Sequence, residues 1–275
     1  MTAQIEPRSL GPRRIDQQLS REQAAEFDQF VVPVYLAPFT QLALEHLEHR
    51  PSFTRARTVD LAEPAKAVRV VHLYPRTNFF DPALVRALPG AQLFGADPSP
   101  LPSAFADGSF SHGVTIHPGG NVGDRARLLA EYRRVLEPGG QLVLAIPLRG
   151  SFTELGDLLR EYALKHDAPD VEAAVTGAAS LRPGPDGLAQ ELSRAGFEQI
   201  SVTTKSICLT FDSGAALFDD PAMRLLVFPE LEQNLGISLT KPFHYAQGAI
   251  DKYWSGGEPF ELTIVAGCAA GYRRA

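Results

Sequence analysis

The sequence predicts a doubly wound α/β fold, and three observations predict it. Short apolar runs, Val68–Tyr74, Gln92–Ala96, Gly113–Ile116 and Gln141–Ile146, read as strands, the first of them buried. Segments of helical period lie between them. Turn residues mark the changes, at Pro89-Gly90 and Pro138-Gly139-Gly140. Strand and helix in alternation imply a sheet with helices on both faces.

Each element has its own warrant. Residues 1–20 are polar and read as a mobile tail. Ser20, with Glu22 and Gln23 after it, marks a helix start. Phe27, Phe30, Val31, Val34 and Tyr35 recur near helical spacing, but Pro33 and Pro38 must break or kink that segment. A second helical run covers Phe39–Leu47, and residues 48–66 carry no clear pattern. Asp81–Leu88 reads as a helix, with Pro82 well placed in its first turn. Asp124–Leu136 reads as an amphipathic helix that Pro138-Gly139-Gly140 closes. A helix follows near Phe152–Lys165, then a Pro/Gly-rich link at Arg182–Gly187, and a helix at Leu188–Ala195 that Gly196 stops. Gln199–Leu209 alternates as a strand does. Residues 213–253 read as a mainly helical insert or cap, interrupted at Pro221, Pro229 and Pro242. Phe260–Cys268 is the last strand.

Composition bounds the function classes. The chain has 275 residues, which is one large domain or two small ones; the expectation is a tail followed by a single domain over 21–275. Its formal charge of −6 excludes a wholly basic nucleic-acid binder. The first twenty residues lack the apolar core of a secretory signal, and no run is long and apolar enough to span a membrane, so a cytoplasmic protein is expected. Cys208 and Cys268 each sit in an apolar run and are expected as buried free thiols. Glycine is unevenly placed: none occurs between Gly11 and Gly90, where a usual share would put roughly five or six.

Several segments together resemble the class I S-adenosylmethionine-dependent methyltransferases, in the small-molecule form called methyltransferase type 11. They are Phe105-Ala-Asp-Gly-Ser-Phe110, the helix and turn Asp124–Gly140 with its Arg133-Arg-Val-Leu-Glu-Pro-Gly-Gly140, and the strand up to Pro147. Leu93-Phe-Gly-Ala-Asp-Pro-Ser99 is similar to the family's second motif, whose acid holds the cofactor ribose. Ala195-Gly-Phe197 and Phe260–Thr263 resemble its late strands, and Val31–Pro38 its N-terminal cap. The resemblance covers most of residues 25–272 and implies a Rossmann-like methyltransferase sheet.

The same resemblance implies a degenerate cofactor pocket. It sets His72 where the family's acid ends the first strand, and Tyr74, Pro75, Arg76, Thr77 and Asn78 over the Gly-rich turn. Glycine there permits unusual dihedrals and close approach of backbone to ligand. Only Asn78 takes a left-handed conformation cheaply. Nine residues separate Asp97 from Asp107, too few for the helix and third strand expected there, so that pair of elements and the adenine loop are expected to be missing. Asp97 is the one contact retained. Losing the others costs several kcal/mol, at ~1–3 kcal/mol for each unmade hydrogen bond at a buried charged group. The expectation is therefore a pseudoenzyme with no cofactor, acting as a scaffold or regulatory module through a protein partner or a second copy at the exposed sheet edge. The alternative is an active small-molecule methyltransferase with an altered pocket.

The remaining polar residues are weighed against ordinary roles. His72, Asp97, His117 and Arg76 converge on the crevice at the strand ends. The favoured reading pairs Arg76 with Asp97 and leaves the histidines packed and hydrogen-bonded. No ligand spacing such as His-x-x-x-His occurs, so no metal is expected. His244 and Tyr245 are considered as groups facing the crevice from the insert. Ser103, Ser109 and Ser111 are read as loop residues, Arg133 and Arg134 as a solvated face, and Tyr253 and Trp254 as packing.

Overall fold

The computed structural model describes residues 19–49, 67–73, 77–96, 103–118, 122–254 and 256–274. Six strands form one sheet in the order β2-β1-β3-β4-β6-β5. They are β1 (Arg69–Leu73), β2 (Gln92–Ala96), β3 (Phe110–Ile116), β4 (Leu136–Pro147), β5 (Phe197–Phe211) and β6 (Phe260–Arg273). The pairs β1–β2, β1–β3 and β3–β4 are parallel, while β6 runs antiparallel to both β4 and β5. After β2 the chain crosses to the other side of β1 to form β3 and then β4, so the switch point lies between β1 and β3. Among the described residues no strand lies outside β2, as the short spacing after Asp97 implies.

Side chains alternate between two cores. Val71, Leu73, Leu142 and Leu144 pack against α4 (Val122–Val135) and α7 (Pro185–Arg194). Val70, Val114, Val143 and Ile264 face the other way. That face is covered by α2 (Ala37–His46), α3 (Asp81–Ala87), the first half of α5 (Thr153–Lys165) and the late helices α8 (Gly214–Asp219), α9 (Phe228–Leu235) and α10 (Thr240–Tyr253).

The N-terminal entry shows why the prolines do not end the helix. Ser20 and Gln23 form a reciprocal capping box at the start of α1 (Arg21–Glu26), so two orphan donors are satisfied at once. A π-helical run, Phe27–Leu36, follows and contains Pro33, and Pro38 is the second residue of α2. The expected break is thus a widened turn within a continuous helical segment. It buries Phe27, Val31 and Tyr35 on the sheet.

Three further expectations are corrected. A helix, α6 (Pro169–Leu181), occupies sequence not assigned to any element; its apolar residues are mostly alanine and valine, which leave a faint stripe. Cys268 is buried but Cys208 is exposed, because β5 is an edge strand with one open face. Arg134 is not a solvated cation: it bonds Glu131 and Asp107 and the carbonyls of Ser103 and Phe105, clamping the segment before β3 to α4. Trp254 packs on Phe260 as expected, while Tyr253 is half exposed and bonds Glu161.

Candidate functional site

His117 follows β3 directly, at the crevice end of the sheet, with φ 49°. A left-handed backbone is uncommon for a residue with a side chain and persists only where surroundings impose it. Its amide is tied to the carbonyl of Ala145, which fixes the bend. The ring sits edge-on to Tyr35 and Phe39.

A line of buried polar groups runs through this histidine. Tyr35 Oη lies 3.0 Å from His117 Nε2. Glu230 Oε2 lies 3.8 Å from Nδ1. The other oxygen of Glu230 accepts from Arg182 Nη2 at 3.2 Å. All four residues are at most 7% exposed, and each comes from a different part of the chain. Burial, and then the charge of Glu230, raise the Tyr35 hydroxyl well above its usual range, so it stays protonated and donates to Nε2. That sets the tautomer with Nδ1–H toward the carboxylate. Sequence reading singled out His117 but not Tyr35, Arg182 or Glu230. Nothing local marks a Glu or Arg as buried.

His72 lies next to last in β1, flanked by Gly95 of β2 and Val114 of β3. It is 3% exposed, packs edge-on to Phe80, and among the described residues neither ring nitrogen has a hydrogen-bond partner. This corrects the expectation of a hydrogen-bonded histidine: only the packing is present. Burial lowers its pKa to about 4, so the ring is neutral at pH 7. His112 is the contrasting case, held by Ser111 Oγ and the carbonyl of Glu48.

The other sequence candidates fall elsewhere. Tyr74, Arg76 and Asp97 lie outside the described residues, as does any Arg76–Asp97 pair. Asn78 is exposed and does not adopt the left-handed conformation open to it; its carbonyl instead accepts from the amide of Asp81 at the start of α3. His244 is exposed, and Tyr245 Oη bonds Lys165 on the surface, so neither faces the crevice. Ser103 bonds Glu131, Ser109 the carbonyl of Ala106, and Ser111 the backbone of Arg69. No cluster of three metal-ligating side chains occurs among the described residues, and no helix there is long and apolar enough to cross a membrane.

The strand order, with one reversed strand between β4 and β5, defines a methyltransferase-like α/β fold in which, among the described residues, no strand lies beyond β2. No protein-family model matches the chain, and no curated protein matches it. Solved structures do. The YcgJ protein from Bacillus subtilis is 12% identical over 87% of this chain and 99% of its own, with TM-score 0.44. Loganic acid methyltransferase, solved with S-adenosylhomocysteine, is 13% identical over 93% and 96%, with TM-score 0.45. A phosphoethanolamine N-methyltransferase from Haemonchus contortus, in complex with phosphomonomethylethanolamine and S-adenosylhomocysteine, is 12% identical over 78% of this chain and 50% of its own, with TM-score 0.38.

The expectation of no cofactor is corrected accordingly, since structures similar to this chain hold S-adenosylhomocysteine. Of the residues on which that expectation rested, 74–76 and 97–102 lie outside the described residues. At the end of β1, His72 carries a buried donor and a buried acceptor that no described residue meets.

Proposed function

We propose that the protein is an S-adenosylmethionine-dependent methyltransferase acting on a small molecule with a nucleophilic O–H or N–H group. The observation that carries this reading is the buried Tyr35–His117–Glu230 line at the crevice end of β3. S-adenosylmethionine supplies an electrophilic methyl group when bound. His72 and Asp97 are the residues that would hold it. The neutral ring of His72 would bring no like charge to a cationic sulfonium.

Methyl transfer needs proximity and alignment more than a fixed catalytic side chain. The nucleophile must nevertheless lose a proton. Tyr35 Oη accepts that proton as it passes its own to His117 Nε2, and the carboxylate of Glu230 offsets the charge on the ring. Arg182 keeps Glu230 in place. The aromatic rings of Tyr35 and Phe39 exclude water from His117.

Calorimetry with S-adenosylmethionine and S-adenosylhomocysteine tests the reading. Binding of either in the micromolar range is the expected result. No heat at millimolar ligand, with the protein shown to be folded, overturns it.

A further inference from the structure

A second feature lies beyond the C-terminal end of β4. There a cleft of about 190 Å³ is lined by Arg149, Arg160 and Arg182 over an apolar floor that includes Leu155, Leu159 and Val175. Among the described residues no acidic side chain lines it, although the chain as a whole carries −6. Arg160 is paired with Asp157 outside the cleft, whereas the exposed guanidinium of Arg149 has no side-chain partner among the described residues.

Arg182 is the buried cation of this cleft. It is 7% exposed, its Nη2 donates to Glu230, and among the described residues its buried Nε–H has no acceptor. A buried donor left unmade costs about 1–3 kcal/mol. The guanidinium lies over the ring of Phe152 at 4.8 Å, which holds its plane. Phe152 is itself left-handed, φ 62°, and begins the thirteen-residue helix α5 without a side-chain cap. The positive end of that helix faces the same cleft through Thr153 and Gly156.

We propose that this cleft binds an amphiphilic organic anion. An oxyanion, carboxylate or phosphate, sits between Arg149 and Arg182 at the start of α5, and a short apolar body lies on Leu155, Leu159 and Val175. The site does not depend on methyl transfer.

Titration of the full chain with octanoate and octyl phosphate tests the proposal, with octanol, octylammonium and inorganic phosphate as controls. The expected result is sub-millimolar binding of one or both octyl anions, at least tenfold tighter than every control. The tighter of the two names the headgroup. Arg149→Ala should weaken that binding at least tenfold, and Arg182→Met should abolish it. Arg149 is exposed, so its variant decides the matter even where Arg182→Met does not fold. Octyl anions that bind no tighter than octanol, or an Arg149→Ala affinity within twofold of the parent, overturn the proposal.

Discussion

The ring of Tyr132 occupies the space that a side chain on Gly113 would fill. A Cβ at Gly113 would stand 2.5 Å from Tyr132 Cδ1. The ring cannot withdraw cheaply, because Tyr132 Oη donates to the carbonyl of Val114 at 2.6 Å and accepts from the amide of Leu73 at 3.0 Å. One side chain on α4 thereby joins β1 to β3 just before the crevice. Both histidines of the crevice depend on this junction, His72 preceding Leu73 and His117 following Val114 by three residues.

Gly113→Ala is expected to destabilise the fold by about 2–3 kcal/mol, as overpacking against a fixed ring does. Urea unfolding measures it. In a double-mutant cycle with Tyr132→Leu the two losses should fall short of additive, because the smaller side chain removes the clash. Additive losses would show that the ring is not the obstacle.

Glu230→Gln strands the buried guanidinium of Arg182 and should cost about 3 kcal/mol. The paired change Glu230→Gln with Arg182→Met removes the stranded charge and should recover much of that loss. Tyr35→Phe, which deletes a single neutral hydrogen bond, should cost only about 1 kcal/mol. Thermal or denaturant melts of the four proteins rank these effects.

His72 makes stability depend on acid. Its folded pKa is about 4, below the ordinary 6.5, so between those values the unfolded chain binds the proton and the folded one does not. Stability from this group is therefore full above pH 6.5 and falls as pH drops toward 4, by about 3 kcal/mol in all. His72→Phe should flatten that part of the pH profile relative to the parent. Identical profiles between pH 4 and 6.5 would refute the assignment.

Arg134→Ala should release the segment 103–107 and leave Glu131, 5% exposed, without its cation. A loss of about 2–3 kcal/mol is expected. Hydrogen exchange at residues 103–107 should quicken well before global unfolding.

Much of the sheet was legible because buried strands read as apolar runs, as at Val70-Val71 of β1 and Leu142–Ile146 of β4. The ends were less so. β3 begins at Phe110 rather than Gly113, since Ser111 and His112 look polar yet are held by Arg69 and Glu48. Of the candidate site, His117 was legible from its place after a strand. The glycine-free stretch pointed to the turn after β1, and of that turn only Thr77 and Asn78 lie within the described residues.

The sequence by itself determined the strand–helix alternation, the capping box at Ser20 and the missing length after Asp97, because each depends on neighbours along the chain. Only the tertiary structure decided that Tyr35 and Glu230 meet at His117 with Arg182 behind Glu230, and that His72 is buried without a hydrogen-bond partner among the described residues. A charged or polar side chain has no local signature of burial. Its cost is met, or left unmet, by groups that folding brings from tens to nearly two hundred residues away, as Tyr35 and Glu230 are brought to the same ring.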